Sequence, residues 1–207
     1  MAVQRPEPAV MELPEAPRLT PVQRQRRRRI IDSAVSLAAE GGYDAVQMRE
    51  VAARADVALG TLYRYFSSKE HLLVAAMAEQ VGGLRQRLAE RPPSGEDAAD
   101  RVVDVLRRAT RALQRQPNVT AAMLKSLISS GGDVAETMEP IGEMMTGMVV
   151  SAIGHDRADA HDLAVAEVIQ HVWLASLLWW VAGLGPAKNV EERVTSAALL
   201  LLRANSD

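Results

Sequence analysis

Apolar residues along most of this chain recur at every third or fourth position, the spacing that places them on one face of an α-helix. No segment of useful length alternates between apolar and polar residues, so the pattern predicts no β-strand. Hydrophobic residues make up 48% of the 207 positions, which is enough for a sizeable core. The predicted fold class is all-α, with helices at about 22–40, 48–55, 59–65, 97–116, 119–129, 134–153, 159–182 and 190–203, and one more long helix capped by Ser67 or Ser68.

Proline and glycine divide this helical pattern. Residues 1–20 contain four prolines and no apolar period, which is typical of a flexible tail. Gly41 and Gly42 end the first helix, Pro140 and Gly142 predict a kink, and residues 91–97 predict a loop. These breaks divide the chain into a head at 22–83, which contains two short helices at about 46–65, and a body at 84–207.

The head contains two short helices joined by a tight turn at 56–58. Val51, Ala52 and Val57 are small enough to let the two helices cross closely, and Leu62 and Phe66 face the same core. This arrangement favours a helix-turn-helix, whose second helix reads a DNA groove. The alternative is an ordinary helical hairpin with no partner.

An arginine cluster begins the first helix, at Arg24 and Arg26 to Arg29. Cations at that end oppose the helix dipole, so they need an anionic partner or full solvation. Residues 1–70 carry 11 Lys and Arg against 9 Asp and Glu, whereas residues 71–207 carry 13 against 17. A basic head beside a helix-turn-helix indicates contact with DNA phosphates, and double-stranded DNA is the predicted partner.

These residues resemble the TetR family of bacterial repressors over about 22–83. The resemblance is carried by the strings at 41–43, 49–52, 60–66 and 68–70. It implies a helical homodimer whose head binds a palindromic operator and whose body binds a small ligand. The predicted DNA-binding residues, taken from the arginine cluster and from the family by position, are Arg26, Arg27, Arg28, Arg29, Gln47, Arg49, Leu59, Gly60, Thr61, Tyr63, Arg64, Tyr65 and Lys69.

Two positions depart from the family pattern. Gln47 and Ala58 stand where the family often has Ser or Thr at the start of the two short helices. Neither side chain is a good N-cap, so both helix starts are expected to lack a side-chain cap.

The head and parts of the body resemble a narrower group within the family, the actinobacterial repressors of sterol catabolism. The strings at 41–49, 54–58, 71–74, 172–174 and 177–178 carry this resemblance. It implies release from DNA by a small apolar ligand, a steroid carried as a CoA thioester. A fatty acyl-CoA or an efflux substrate is the alternative within the family.

The body has no Tyr or Phe, so methionines and tryptophans supply its large flexible surfaces. Plain core packing is the competing interpretation of each one. Arg101, Arg108, Arg111 and Arg115 form either a solvated face or a contact for CoA phosphates. The predicted ligand-binding residues are Met123, Leu127, Met144, Met145, Met148, Trp173 and Leu177. The apolar runs at 174–181 and 197–202 favour a dimer interface, with Ser176, Trp179, Gly183 and Leu199 as its predicted residues.

Other function classes lack support in the sequence. The absence of Cys excludes disulfides and thiolate metal sites, and the four histidines lack metal-ligand spacing. A helical enzyme lacks a catalytic constellation, and a protein-interaction module would not need the arginine cluster. We predict no metal or cofactor, no membrane-spanning apolar run, no secretory signal and a cytoplasmic location.

Overall fold

The computed structural model describes residues 19–130, 134–155 and 157–203, and within those ranges it contains nine helices and no strand. The tail predicted at 1–20 lies almost wholly outside the described residues. The helices are α1 (Pro21–Ala45), α2 (Met48–Arg54), α3 (Leu59–Tyr65), α4 (Lys69–Glu90), α5 (Ala98–Gln114), α6 (Pro117–Ser129), α7 (Ala135–Ile153), α8 (Ala160–Val181) and α9 (Lys188–Leu202). The all-α prediction is confirmed.

Helix ends follow local chemistry. Thr20 begins α1, because its side chain accepts from the Gln23 backbone N–H while the Gln23 side chain accepts from the Thr20 backbone. Helical torsions stop at Gly41 and Gly42, where Gly42 has φ 67°, as the sequence indicated. Ser68, rather than Ser67, caps α4 through the His71 backbone N–H.

The body helices begin and end close to their predicted bounds. Asp97 and Asp159 cap α5 and α8, and Pro117 occupies the first turn of α6. Pro140 lies inside α7 and does not end it. The predicted boundary at residue 84 lies inside α4, which belongs to both head and body.

Helix α6 lies between the two parts of the chain. It packs against α1 and α4 of the head, and it also contacts α5 and α8 of the body. The head core gathers side chains from α1 to α4 with Val119, Ala122 and Met123 of α6. The main body core joins α4 and α5 to α7, α8 and α9.

Helix α8 differs from expectation in one respect. Its 22 residues are long and apolar enough to cross a membrane by length and composition alone, and only 28% of the apolar window is buried within this chain. The sequence predicted no apolar run of that length. Glu167, Gln170 and His171 are polar positions within this continuous helix, which also packs on α6, α7 and α9.

Candidate DNA-binding face and ligand cavity

The turn between α2 and α3 is closed by backbone contacts. The Val57 N–H donates to the Ala52 carbonyl oxygen at 3.0 Å, and Asp56 takes the left-handed conformation (φ 51°) that such a turn requires. Neither Gln47 nor Ala58 makes a side-chain cap, so the weak helix starts read from the sequence are confirmed. Tertiary packing of Leu62, with no exposed surface, holds α3 in place instead.

The outer surface around α2 and α3 carries six of the thirteen predicted DNA-binding residues. Tyr63 is half exposed, and Arg64 and Gly60 are exposed beside it. Leu59 and Tyr65 instead turn partly into the head core. The exposed residues of this face, which we call the reading face, are Gln47, Arg49, Gly60, Tyr63 and Arg64, with Thr61 half-buried among them.

The arginine cluster divides into two kinds. Arg28 and Arg29 are exposed on α1. Arg27 turns toward α4, where its Nη1 lies 3.0 Å from Glu79 Oε1 and its guanidinium lies 5.3 Å from the Phe66 ring centroid. The structure therefore gives Arg27 a partner inside the protein, which the sequence did not predict.

Tyr43 connects the head to α6. Lys69 Nζ lies 3.8 Å from its ring centroid and Lys125 Nζ, from α6, lies 4.6 Å away. Its hydroxyl donates to Glu70, and burial together with this carboxylate raises the pKa of Tyr43. Lys125 also pairs with Asp44 at 3.2 Å.

An apolar cavity of about 400 Å³ lies in the body between α4, α6, α7 and α8. Five of the seven predicted ligand-binding residues line it, namely Met123, Leu127, Met145, Trp173 and Leu177. The wall also includes Met77 and Val81 from α4, a helix that the sequence analysis assigned to the head. Further wall residues outside the predicted set are Leu113, Thr120, Leu124, Met138, Ile141, Gly142, Thr146, Glu167, Gln170, His171 and Leu174.

Met144 and Met148 lie elsewhere. They line a separate surface groove beside Arg85 and Pro92, and Met148 also packs in the body core. Met138, Ile141 and Met145 follow the i, i+3, i+7 stripe that faces the cavity, whereas 144 and 148 lie on another stripe of α7. Extending the Met145 stripe backward would have found Met138 and Ile141.

Most polar groups of the cavity wall already form hydrogen bonds within the protein. Trp173 Nε1 donates to Thr110 Oγ1 at 2.8 Å, and the Thr120 hydroxyl donates to the Leu113 carbonyl oxygen at 2.8 Å. Gln170 Nε2 donates to Thr146 Oγ1 at 2.9 Å, which ties α8 to α7. Glu167 and His171 lie at the exposed edge of α8.

A second, smaller space, which we call the neck, lies beside the cavity between α4 and α5. Val81, Leu113, Met145 and Trp173 line both spaces. Gly83 also lines the neck, and a Cβ at that position would come within 3.3 Å of Arg87 Nη1. Leu84, Arg87 and Ala112 in turn belong to both the neck and a surface groove of about 680 Å³.

That groove is rich in arginine, and we call it the arginine groove. Arg87, Arg91, Arg111 and Arg115 line it and form no ion pair with the residues that the structure describes. Arg108 is different, because Asp104 at 2.6 Å and the carbonyl oxygen of Arg91 occupy its guanidinium. Glu90 contributes a carboxylate to the groove, and Arg101 lies away from it, donating to the carbonyls that end α7.

The outward surface of α8 and α9 carries exposed apolar side chains. Trp179 is 48% exposed and Leu200 71% exposed, and Gly183 is exposed at the end of α8 with φ 73°. Ser176 is instead buried, where its hydroxyl donates to the Val172 carbonyl oxygen, and Leu199 packs partly into the body core. The outward apolar positions of the two helices that do not line the cavity, which we call the α8–α9 face, are Leu163, Val168, Trp179 and Leu200.

Two family models match these two parts of the chain. Residues 30–76 match the N-terminal region of bacterial regulatory proteins of the tetR family, and residues 95–201 match the tetracyclin repressor-like C-terminal domain. The chain belongs to the TetR family. The first match covers the helix-turn-helix and the second covers α5 to α9, while much of α4 lies between them.

Individual TetR-family proteins are similar along most of the chain. The HTH-type transcriptional repressor KstR of Rhodococcus jostii (strain RHA1) is 41% identical over 180 residues, which are 87% of this chain and 84% of that protein. The crystal structure of a TetR transcriptional regulator from Rhodococcus sp. RHA1 is 33% identical, with a TM-score of 0.81, over 90% of this chain and all of that one. These similarities identify a TetR-family transcriptional repressor close to KstR.

A more distant structure has the same fold. Thermus thermophilus FadR, a TetR-family repressor solved in complex with lauroyl-CoA, superposes with a TM-score of 0.67 at 22% identity. The superposition covers 84% of this chain and 92% of that protein.

Proposed function

We propose that this repressor is a homodimer whose reading face binds a palindromic operator and which leaves DNA when a steroid CoA thioester binds its body. The observation that carries the proposal is the order of three neighbouring spaces, the apolar cavity, the neck and the arginine groove, in which each shares lining residues with the next. A bulky apolar acid joined to CoA has the same order of parts: an apolar body, a thin linker and phosphates.

Each part of the space suits one part of such a ligand. Methionine and aliphatic side chains around about 400 Å³ suit a wide apolar body. Gly83 lines the neck without a side chain, which leaves room beside Arg87 for a thin linker. Arg87, Arg111 and Arg115 supply uncommitted guanidinium groups for phosphates.

Fatty acyl-CoA is the second candidate. The Thermus protein of the same fold was solved with lauroyl-CoA, and its ligand shares the CoA portion with a steroid thioester. The resemblance of the head and of residues 172–178 to repressors of sterol catabolism favours the steroid. A single flexible chain would also leave more of a wide cavity unfilled.

Helix α6 gives the ligand a route to the reading face. Thr120, Met123 and Leu127 line the cavity, whereas Lys125 on the same helix contacts Asp44 and the Tyr43 ring in the head. Release requires that the ligand prefer the arrangement that does not bind DNA, because equal affinity for both would shift nothing. A hundredfold preference corresponds to about 2.7 kcal/mol of coupling, and DNA must weaken ligand binding by the same factor.

The proposed ligand is tested by titrating a complex of the protein with its operator, selected from a pool of random duplexes. Cholesterol-derived CoA thioesters should release DNA at concentrations at least tenfold below those of long-chain fatty acyl-CoAs. The free sterol acids should act weakly, since they lack the phosphates that Arg111 and Arg115 would hold. Release by the fatty acyl series alone would transfer the assignment to fatty-acid control.

The proposed dimer uses the α8–α9 face. Its exposed apolar side chains would be costly in water, and a second copy of the same face would bury them. Leu200→Glu should place an unpaired charge in that interface and yield a monomer in sedimentation. Ile128→Glu is the matched control, because Ile128 on α6 is equally exposed at 71% and should leave the dimer intact. A wild-type monomer at micromolar concentration would refute the proposal.

A further inference from the structure

One hydrogen-bond donor of the cavity wall, the Thr146 hydroxyl, has no acceptor among the described residues. Gln170 Nε2 donates both to the Ala166 carbonyl oxygen at 3.2 Å and to Thr146 Oγ1 at 2.9 Å. The Ala166 carbonyl can only accept, so it fixes the orientation of the Gln170 amide. Thr146 therefore accepts from Gln170, and its own O–H donates to no atom of the described residues.

Other neutral donors around the cavity are already used. The Thr120 hydroxyl donates to the Leu113 carbonyl oxygen, and Trp173 Nε1 donates to Thr110, whose hydroxyl donates to Leu106. His171 also lines the cavity, but at the exposed edge of α8 where water reaches it. Thr146 is thus the half-buried wall residue whose hydroxyl hydrogen remains available to a ligand.

We infer that Thr146, held in place by Gln170, recognises an oxygen atom on the apolar body of the ligand, either a ring ketone or a ring hydroxyl. This inference rests on the proposed steroid CoA function and names the feature that the cavity selects. Thr146 would donate to either kind of oxygen, and the Gln170 carbonyl oxygen could in addition accept from a hydroxyl.

The selection follows from what an unoxygenated ligand leaves behind. A saturated hydrocarbon against Thr146 would exclude water from the hydroxyl and give it no acceptor in return. An oxygenated ring system would pair that donor as it enters. The cavity should therefore prefer oxygenated rings to saturated rings or chains of similar size, and we expect a difference of about tenfold in affinity.

Binding measurements with three CoA thioesters of one ring system test this inference. One carries a ring ketone, one a ring hydroxyl and one no ring oxygen, and calorimetry gives Kd for each. The wild-type protein should bind both oxygenated thioesters about tenfold more tightly than the third. Thr146→Val should weaken binding of the oxygenated pair about tenfold, and it should bind the unoxygenated thioester at least as tightly as the wild type does, because no buried donor is then left unpaired.

Two further variants separate recognition from structure. Thr146→Ser keeps the hydroxyl and should restore the preference. Thr120→Val makes the same change at a cavity residue whose donor is already used, so it should change all three affinities equally. Thermal unfolding confirms that each variant is folded.

The outcomes distinguish this inference from the function on which it rests. If all three thioesters bind and release DNA without a preference, or if Thr146→Val weakens them equally, the inference is overturned and the proposed function stands. If none binds the wild-type protein, the proposed function fails and the inference fails with it.

Discussion

The head of this protein has a filled core, whereas its body encloses an apolar cavity. Ile30, Leu62, Phe66 and Leu72 fill the head core with at most 1% of their surfaces exposed. The body places Met145 and Leu177 around about 400 Å³ of open space instead. The difference follows from what each part must do, since a reading helix needs one fixed position and a ligand site needs room.

The largest expected effect tests this contrast directly. Leu62→Ala removes a fully buried side chain from the filled core of the head and should cost about 2–5 kcal/mol of unfolding free energy. Leu127→Ala makes the same change at the cavity wall, where one side of the leucine already lacks packed neighbours. Its cost should be less than half as large, as urea denaturation of the two variants would show.

Equal losses of unfolding free energy at Leu62 and Leu127 would contradict this contrast between the head and the body. A ligand that fills the cavity should reduce the difference between the two losses. Bound ligand stabilises the folded protein by mass action, and the truncation at Leu127 should reduce that stabilisation while the truncation at Leu62 leaves it unchanged.

A smaller effect concerns the surface of the head. Arg64 is exposed on the reading face, so Arg64→Ala should cost about 1–3 kcal/mol of operator binding if it pairs with a base edge. Preference at one base position should relax at the same time, which competition among operator variants would measure.

Arg85→Ala is the matched control in the body. Arg85, like Arg64, is exposed. It lies on α4 in the surface groove that Met144 and Met148 line, outside the reading face. Its loss should leave operator affinity unchanged within about 0.5 kcal/mol. Equal weakening by both substitutions would mean that net charge, rather than position, accounts for the effect.

The smallest effect separates head and body by pH. In the body, the hydrogen bond from His155 to Asp162, at 2.9 Å, raises the pKa of His155. In the head, burial together with the charge of Arg27 lowers the pKa of His71. His155 therefore adds stability below its ordinary pKa of about 6.5, and loses it as pH rises through the raised folded value. His71 is the reverse: its contribution is present above about 6.5 and is lost as pH falls through the lowered folded value.

Nuclear magnetic resonance titration of the two imidazoles should show pKa values on opposite sides of the ordinary value. Unfolding free energies between about pH 5 and pH 8 provide the second measurement. The difference between wild type and His155→Asn should grow toward acid pH, whereas His71→Asn should gain relative to wild type there. Slopes of the same sign would contradict the assignment.

The head could be predicted from sequence because its signals are local. Gly41 and Gly42, the small residues at 51–52 and the Ser68 cap each determine structure within a few positions. The long-range pairing of Arg27 with Glu79 was missed, since α1 and α4 approach each other only in the folded chain. A run of arginines in the sequence does not show which of them pair with other residues of the folded protein.

The body shows where helical periodicity stops being informative. Composition indicated that methionine surrounds a ligand, but the choice between Met145 and Met148 depends on how α7 is rotated against its neighbours. Ser176 was expected at the dimer face and lies inside for the same reason. Asp104, which pairs with Arg108, lies four residues before it on α5, and this spacing of opposite charges could have identified the pair from the sequence.

Helix α4 gives the molecule a lever arm. Its 22 residues span about 33 Å, from Lys69, which closely follows α3, to Glu90 at the arginine groove. A tilt of about 5° that holds the groove end fixed would carry the Lys69 end about 3 Å, close to the rise of one base pair. In a symmetric dimer the two displacements would change the separation of the reading helices by about 6 Å, against half-sites about 34 Å apart. A ligand linker bound in the neck would thus need to tilt α4 by only a few degrees for the two reading faces to lose their alignment with the half-sites.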